Sequence, residues 1–227
     1  MPIDVPFSDA DLVVGALEPD DRVTKGLVAP PPAPPETYVA LGATTATRLT
    51  PQTAGLDPAV AEIIAGDSAS RYYHVRFSCT FHPSGNATFE KAWVQSTLAS
   101  DGAGDGPLAL SLDPIRSDHP LDLSSSFEIG VDFKFVNAKA SFDPKLTKAM
   151  IFVEALNEGL PNPGWEFTQT PSDRLSGLQR LQMIVRTGTT GCQGAITLLA
   201  QVARNEFLMG TYRAMFDQKP AITFELK

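Results

Sequence analysis

From Arg71 onward, apolar and polar residues alternate with a period of two. Tyr73, Val75, Phe77, Cys79 and Phe81 share one parity, and His74, Arg76, Ser78 and Thr80 share the other. That is the pattern of a strand with one buried face, and it predicts an outward-facing, solvated His74. The stretch His82-Pro83-Ser84-Gly85-Asn86 reads as a turn, and the β-favouring residues Ala87 to Leu98 predict the second arm of a hairpin. Leu108, Leu110 and Leu112 alternate in a third strand, and Phe127, Ile129, Val131, Phe133 and Phe135 in a fourth. Further strands are expected at Ile151 to Ala155, Trp165 to Thr170, Leu178 to Thr187, Ala195 to Arg204 and Ala221 to Leu226. Between Asn205 and Phe216 the pattern fits either a strand through Leu208, Tyr212, Ala214 and Phe216 or a helical face of Phe207, Leu208, Tyr212 and Met215. Strands separated by turns, with few helical intervals and no repeat at a fixed period, predict an all-β fold. The expected architecture is an antiparallel β-sandwich, immunoglobulin-like or jelly-roll-like.

The first seventy residues differ in kind. They hold ten acids against three bases, ten of the nineteen prolines, and only Phe7 and Tyr38 among nineteen aromatics. Too few large apolar groups are present to build a core, so the division expected is an acidic, proline-rich arm over residues 1–70 and a sandwich domain over 71–227. The run Ala29-Pro30-Pro31-Pro32-Ala33-Pro34-Pro35 favours an extended, semi-rigid polyproline II spacer. Near residues 58–65 one helix is predicted: Asp57 suits the cap, Pro58 the first turn and Gly66 the end, with Val60, Ile63 and Ile64 on one face. That apolar face must cover a surface, either on its own body or on a partner.

A formal charge of −8 and a pI near 4.8 argue against nucleic acid as a ligand. No stretch approaches the roughly 18 apolar residues of a membrane span, so no membrane insertion is expected. The first twenty residues carry five acids and no base, the reverse of a secretory signal. A soluble, cytoplasmic protein with two free thiols is the resulting expectation.

Reactive groups are few. His74, Cys79 and His82 lie close in sequence, but Cys79 has the opposite strand parity to both histidines, which disfavours a shared zinc ion. Cys192 sits in Gly188-Thr189-Thr190-Gly191-Cys192-Gln193-Gly194, where exposed amides could support a nucleophilic thiolate. No base is placed beside it, and a glycine-rich hairpin turn accounts for the same residues. Asp101, Asp105, Asp113, Asp118 and Asp122 cluster in two connections that invite a calcium reading, without the spacing of an EF-hand. No cofactor, metal or catalytic residue is assigned. Trp93 or Trp165 could stack on a sugar, although burial is the expected state of each.

Three segments carry a family resemblance: Pro107-Leu108-Ala109-Leu110-Ser111-Leu112-Asp113-Pro114, then Gly164-Trp165-Glu166-Phe167-Thr168, then Leu175-Ser176-Gly177 ahead of Leu181-Gln182-Met183-Ile184-Val185-Arg186. Their spacing over residues 107–199 resembles that of uncharacterised bacterial immunoglobulin-like β-sandwich modules that accompany peptidase or signalling proteins of conflict systems. The resemblance implies a binding or regulatory role and carries no site residues across.

The leading expectation is a non-enzymatic interaction or regulatory module whose arm and sandwich bind a partner protein with a basic or apolar surface. Phe7, Leu12, Val13 and Val14 are the expected N-terminal anchors, with Ile63 and Ile64 on the helix. The alternatives are a self-assembling coat-like or shell-like subunit locked by its arm, and a hydrolase that depends on Cys192 or on a metal.

Overall fold

The structure is a computed structural model that describes residues 13–15, 17–19, 37–100, 106–118, 151–206, 210–216 and 221–227. In chain order the strands are β1 (Val13–Gly15), β2 (Leu17–Pro19), β3 (Tyr38–Leu41) and β4 (Thr45–Leu49), then helix α1 (Pro58–Gly66), then β5 (Ser70–His82) and β6 (Ala87–Ala99). They continue with β7 (Leu108–Asp113), β8 (Arg116–Ser117), β9 (Val153–Leu156) and β10 (Gly164–Thr168). The last four are β11 (Gly177–Gly188), β12 (Cys192–Glu206), β13 (Gly210–Phe216) and β14 (Ala221–Leu226). The fold is all-β, every pairing is antiparallel, and α1 is the one helix among the described residues.

Two sheets result. The first runs β1-β3-β5-β11-β7, with β4 also beside β5; the second runs β2-β13-β12-β6-β10-β9-β8, with β14 also beside β12. The hairpin expected of β5 and β6 is therefore not formed, because the two strands lie in different sheets. Likewise the glycine turn after β11 is not a hairpin within one sheet: Gly191 N–H donates to the Gly188 carbonyl (3.1 Å), and the chain passes from the first sheet to the second. Alternation shows which face of a strand is buried. Two strands that face each other across a core read the same way as two that are hydrogen-bonded neighbours.

Inward side chains of both sheets meet in one cluster that holds Val75, Phe77, Cys79, Phe81, Phe89, Trp165, Phe167, Leu181 and Met183. Aromatic edges cross between the sheets: Phe77 to Trp165 at 5.6 Å, Phe81 to Phe89 at 5.6 Å and Phe81 to Phe167 at 5.5 Å, measured between ring centroids. Such edge-to-face pairs add about 0.5–1.5 kcal/mol beyond the area they bury.

The body begins earlier than Arg71. Val39 and Leu41 of β3 are fully buried in the main cluster, and β4 pairs with β5 from Thr45↔Arg76 to Leu49↔Tyr72. Val13 and Val14, read as partner anchors, lie on β1 opposite Leu41 and Ala40, while β2 pairs with β13 on the other sheet. One residue separates β1 from β2, so this short stretch reaches the edges of both sheets. Phe7, Leu12, the proline run and the strand expected at 127–135 lie outside the described residues.

Helix α1 covers the outward face of the first sheet. Asp57 caps it by accepting from Ala59 N–H (2.8 Å), with Pro58 in the first turn. Val60 and Ile64 pack with Leu49, Tyr72 and Ile184 in a second cluster, against which Leu56 and Leu110 also rest. The docking is thus intramolecular, and Ile64 is part of that contact; Ile63 stands 43% exposed. Ile64→Ala is expected to cost about 2–4 kcal/mol and Ile63→Ala within about 0.5 kcal/mol, a contrast that urea unfolding of the two variants reads directly.

Leu108, Leu110 and Leu112 do not share a face as their alternation predicts. The β7–β11 register shifts between Ile184 and Val185, so that Leu112 enters the main core and Leu110 the helix-side cluster. The ambiguous segment from Asn205 resolves as the end of β12 and as β13.

Candidate functional site

Burial governs the groups with reactive potential. Cys79 and Cys192 are free thiols, both buried, and burial raises the pKa of Cys192 to about 11 and that of Cys79 further. A thiol so placed is almost wholly protonated at neutral pH, which makes a poor nucleophile. His82 ends β5 and stacks on Tyr38 with ring centroids 4.8 Å apart.

His74 is not the solvated residue its parity suggests. It faces outward from β5, but that face is covered, and the ring is 1% exposed. His74 Nε2 lies 2.7 Å from Gln182 Oε1, and Gln182 Nε2 donates to Asp113 Oδ2 at 2.5 Å. One amide therefore links the buried ring to the carboxylate at the end of β7. This places Asp113, one of the acids read as a calcium ligand, in a hydrogen-bonded pair; Asp118 is described, and Asp101, Asp105 and Asp122 are not. Among the described residues no three His, Cys, Asp or Glu side chains gather as a metal-ligand group.

Burial lowers the His74 pKa from 6.5 to about 4, and the neighbouring charge of Arg76 pushes the same way. The unfolded chain then binds the proton more readily. The stability contribution is complete above about pH 6.5 and is lost as pH falls toward about 4, amounting to about 3 kcal/mol. Urea unfolding across that interval is expected to show this slope in the native protein and a flatter one in His74→Gln.

Among the described residues four large apolar side chains stay exposed, and three of them lie together in sequence-distant segments of one margin. At the margin where β7 of the first sheet gives way to β8 of the second, Ile115, Leu156 and Leu160 are 38%, 38% and 46% exposed. Trp165 fixes the crossover by donating its indole N–H to the Pro114 carbonyl at 3.0 Å. Ala155 N–H donates to the Ile115 carbonyl at 2.8 Å, which ties the crossover to β9.

The β9–β10 loop is tethered to both sheets. Gly159 N–H donates to the Ala109 carbonyl (2.7 Å), and Ala109 N–H donates back to Leu160 (3.2 Å), completing the outer edge of β7. On the other side, Ser96 and Leu98 of β6 donate to the carbonyls of Pro163 and Pro161, each at 2.8 Å. Asn157 (φ 61°) and Gly159 (φ 78°) supply the left-handed backbone that the tight turn requires. Glu158 lies over the end of β7 within 3.4 Å of Leu112 N–H, and burial raises its pKa.

No protein family matches this chain, and no curated relative matches its sequence. Among solved structures it is similar to Clostridium perfringens delta-toxin, at 9% identity and a TM-score of 0.36 over 97% of this chain and 95% of that one. It is also similar to the Clostridium perfringens NetB toxin in its membrane-inserted form, at 7% identity and a TM-score of 0.37 over 95% of each chain. Likenesses of this size are too small to carry fold or function across.

Of the residues proposed from sequence, Ile63 is exposed, Ile64 is buried beneath its own helix, and Val13 and Val14 sit on a sheet edge. The three side chains at the β7–β8 margin were missed. Their signal was present in the apolar Leu156 and Leu160 flanking Asn157-Glu158-Gly159, a turn sequence in which exposed leucines have no local purpose.

Proposed function

We propose that the chain is a non-catalytic interaction module, built as an immunoglobulin-like or jelly-roll-like sandwich, that binds a partner protein in a larger assembly. The observation that carries this reading is the tethering of the β9–β10 loop. Backbone hydrogen bonds to Ala109, Ser96 and Leu98 fix the loop that carries Leu160, whose side chain is 46% exposed. Covering the 38% and 46% that remain exposed contributes about 1 kcal/mol each, so Leu156 and Leu160 together can add an apolar contact to an interface. The formal charge of −8 favours a partner with a basic rim around an apolar centre. Ile63, outward on a helix fixed from beneath, offers a second contact.

The test is capture of a partner from the source lysate, followed by calorimetry with the purified partner. Leu156→Asp/Leu160→Asp is expected to weaken binding at least about tenfold while leaving the unfolding midpoint close to that of the native protein. Unchanged affinity in the double variant overturns the assignment of this margin.

A second reading, self-assembly locked by the N-terminal arm, is favoured by one observation. Among the described residues β1 and β2 each contribute three residues at the end of a sheet, a position that can take the same segment from a neighbouring copy.

A further inference from the structure

Between β3 and β5 the chain makes an excursion that supplies β4 and α1 to the first sheet. Among the described residues β4 has β5 as its one ladder partner. Helix α1 packs through Val60 and Ile64 on Leu49, Tyr72 and Ile184, in a small cluster separate from the core that the two sheets share. A satellite cluster of that kind can open while the larger one stays closed, which makes the excursion a unit of low local stability.

His74 stands at the border of this unit. Across the ladder it has Thr47 of β4 on one side and Ile184 of β11 on the other, and Tyr72 shares its face two residues along β5. Tyr72 and Ile184 both belong to the cluster under α1, and the His74 side chain is 1% exposed. Because Gln182 Nε2 donates to Asp113, Gln182 Oε1 is the atom that faces the ring, and the neutral imidazole donates to it from Nε2 over 2.7 Å. A second proton must therefore enter at Nδ1. The charges on this face of the sheet oppose it: Arg76 of β5 and Arg180 and Arg186 of β11 stand against Asp113 of β7, which Gln182 holds, and Asp67 after α1, which accepts from Tyr72 O–H at 2.8 Å. Arg48 of β4 pairs with Tyr73 and points to the opposite face, and α1 turns Val60 and Ile64 to the sheet while Glu62 is exposed. Among the described residues the surroundings of the ring thus carry more positive than negative charge.

We propose that the excursion from Thr45 to Gly66 is an acid-released strap: protonation of His74 frees β4 and α1 from the first sheet while the core shared by the two sheets stays folded. Lifting the strap takes Thr47 from one flank of the ring and the apolar cover from Tyr72 and Ile184, so water reaches the imidazolium. The closed form holds the His74 pKa at about 4 and the opened form lets it return to 6.5. The opened form therefore binds the proton more tightly, and its population relative to the closed form rises about twentyfold between pH 7 and pH 5. Release bares Leu49, Tyr72 and Ile184, an apolar surface that the neutral protein keeps covered.

Native-state hydrogen exchange on the full chain, at pH 7 and pH 5 in low urea and corrected for the intrinsic effect of pH on exchange, tests this. Amides of α1 and β4 are expected to exchange through an opening that is nearly insensitive to urea and about twentyfold more populated at pH 5, with β6 and β12 better protected at both pH values. His74→Gln is expected to abolish that response to acid. A second measurement covers the case in which this variant does not fold: NMR titration of the His74 ring in Ile64→Ala, which weakens the strap, is expected to give a pKa above that of the native protein. Exchange of α1 and β4 in step with β6 and β12 at both pH values, an acid response that persists in His74→Gln, or a His74 titration unmoved by Ile64→Ala would each overturn the proposal.

Discussion

Trp165→Ala is expected to lower the free energy of unfolding by about 3–5 kcal/mol. The side chain is fully buried, packs edge-on against Phe77 of the opposite sheet, and donates to the Pro114 carbonyl where the chain leaves the first sheet for the second. Truncation thus opens a cavity in the main core and strips the crossover of its hydrogen bond. Domains are stable by about 5–15 kcal/mol, so the variant should unfold at a much lower urea concentration. A loss below about 1 kcal/mol would mean that the core is not shared between the sheets as described.

Gly191→Ala is the second large effect. Gly191 has φ 80°, where a side chain costs about 1–2 kcal/mol, and a Cβ there would lie 1.9 Å from the Leu226 carbonyl oxygen. The obstacle is backbone of the final strand, which gives way only if β14 shifts from β12. Overpacking of this kind adds about 1–3 kcal/mol. Gly188, at the other end of the same turn, has nothing within 4 Å of its Cβ position, so Gly188→Ala should stay within about 0.5 kcal/mol of the native protein. Thermal unfolding of the pair separates the two; equal midpoints would contradict the close approach of Gly191 to β14.

Strand existence was largely legible in the alternating pattern, and sheet membership was not. The parity of Tyr73 to Phe81 identifies the buried face of β5 correctly, yet it cannot distinguish a partner beside β5 from one across the core. β11 proves to be beside it and β6 opposite. The β7 leucines illustrate a second limit. A bulge moves one residue out of step and sends Leu110 and Leu112 to different clusters, and nothing in Leu-Ala-Leu-Ser-Leu marks the bulge.

Composition misplaced the start of the body. Tyr38 to Leu49 is poor in aromatics, but Val39 and Leu41 need only the existing flank of β5 to be buried. A segment can join a core that it could never build. His74 shows the same dependence on distant chain: its parity is outward, yet it is 1% exposed between Thr47 of β4 and Ile184 of β11, with its ring against Gln182. The candidate margin was the least legible part, because the loop that carries Leu160 is placed by hydrogen bonds to β6 and β7, which lie far away in sequence.

Multi-angle light scattering of the full chain, alone and mixed with its purified partner, bears most directly on the claim that this is an interaction module. The account predicts a monomer alone and a one-to-one complex on mixing, with complex formation lost in Leu156→Asp/Leu160→Asp. A large homo-oligomer that forms without any partner, and disperses when β1 and β2 are deleted, would contradict it and make the chain an assembly subunit.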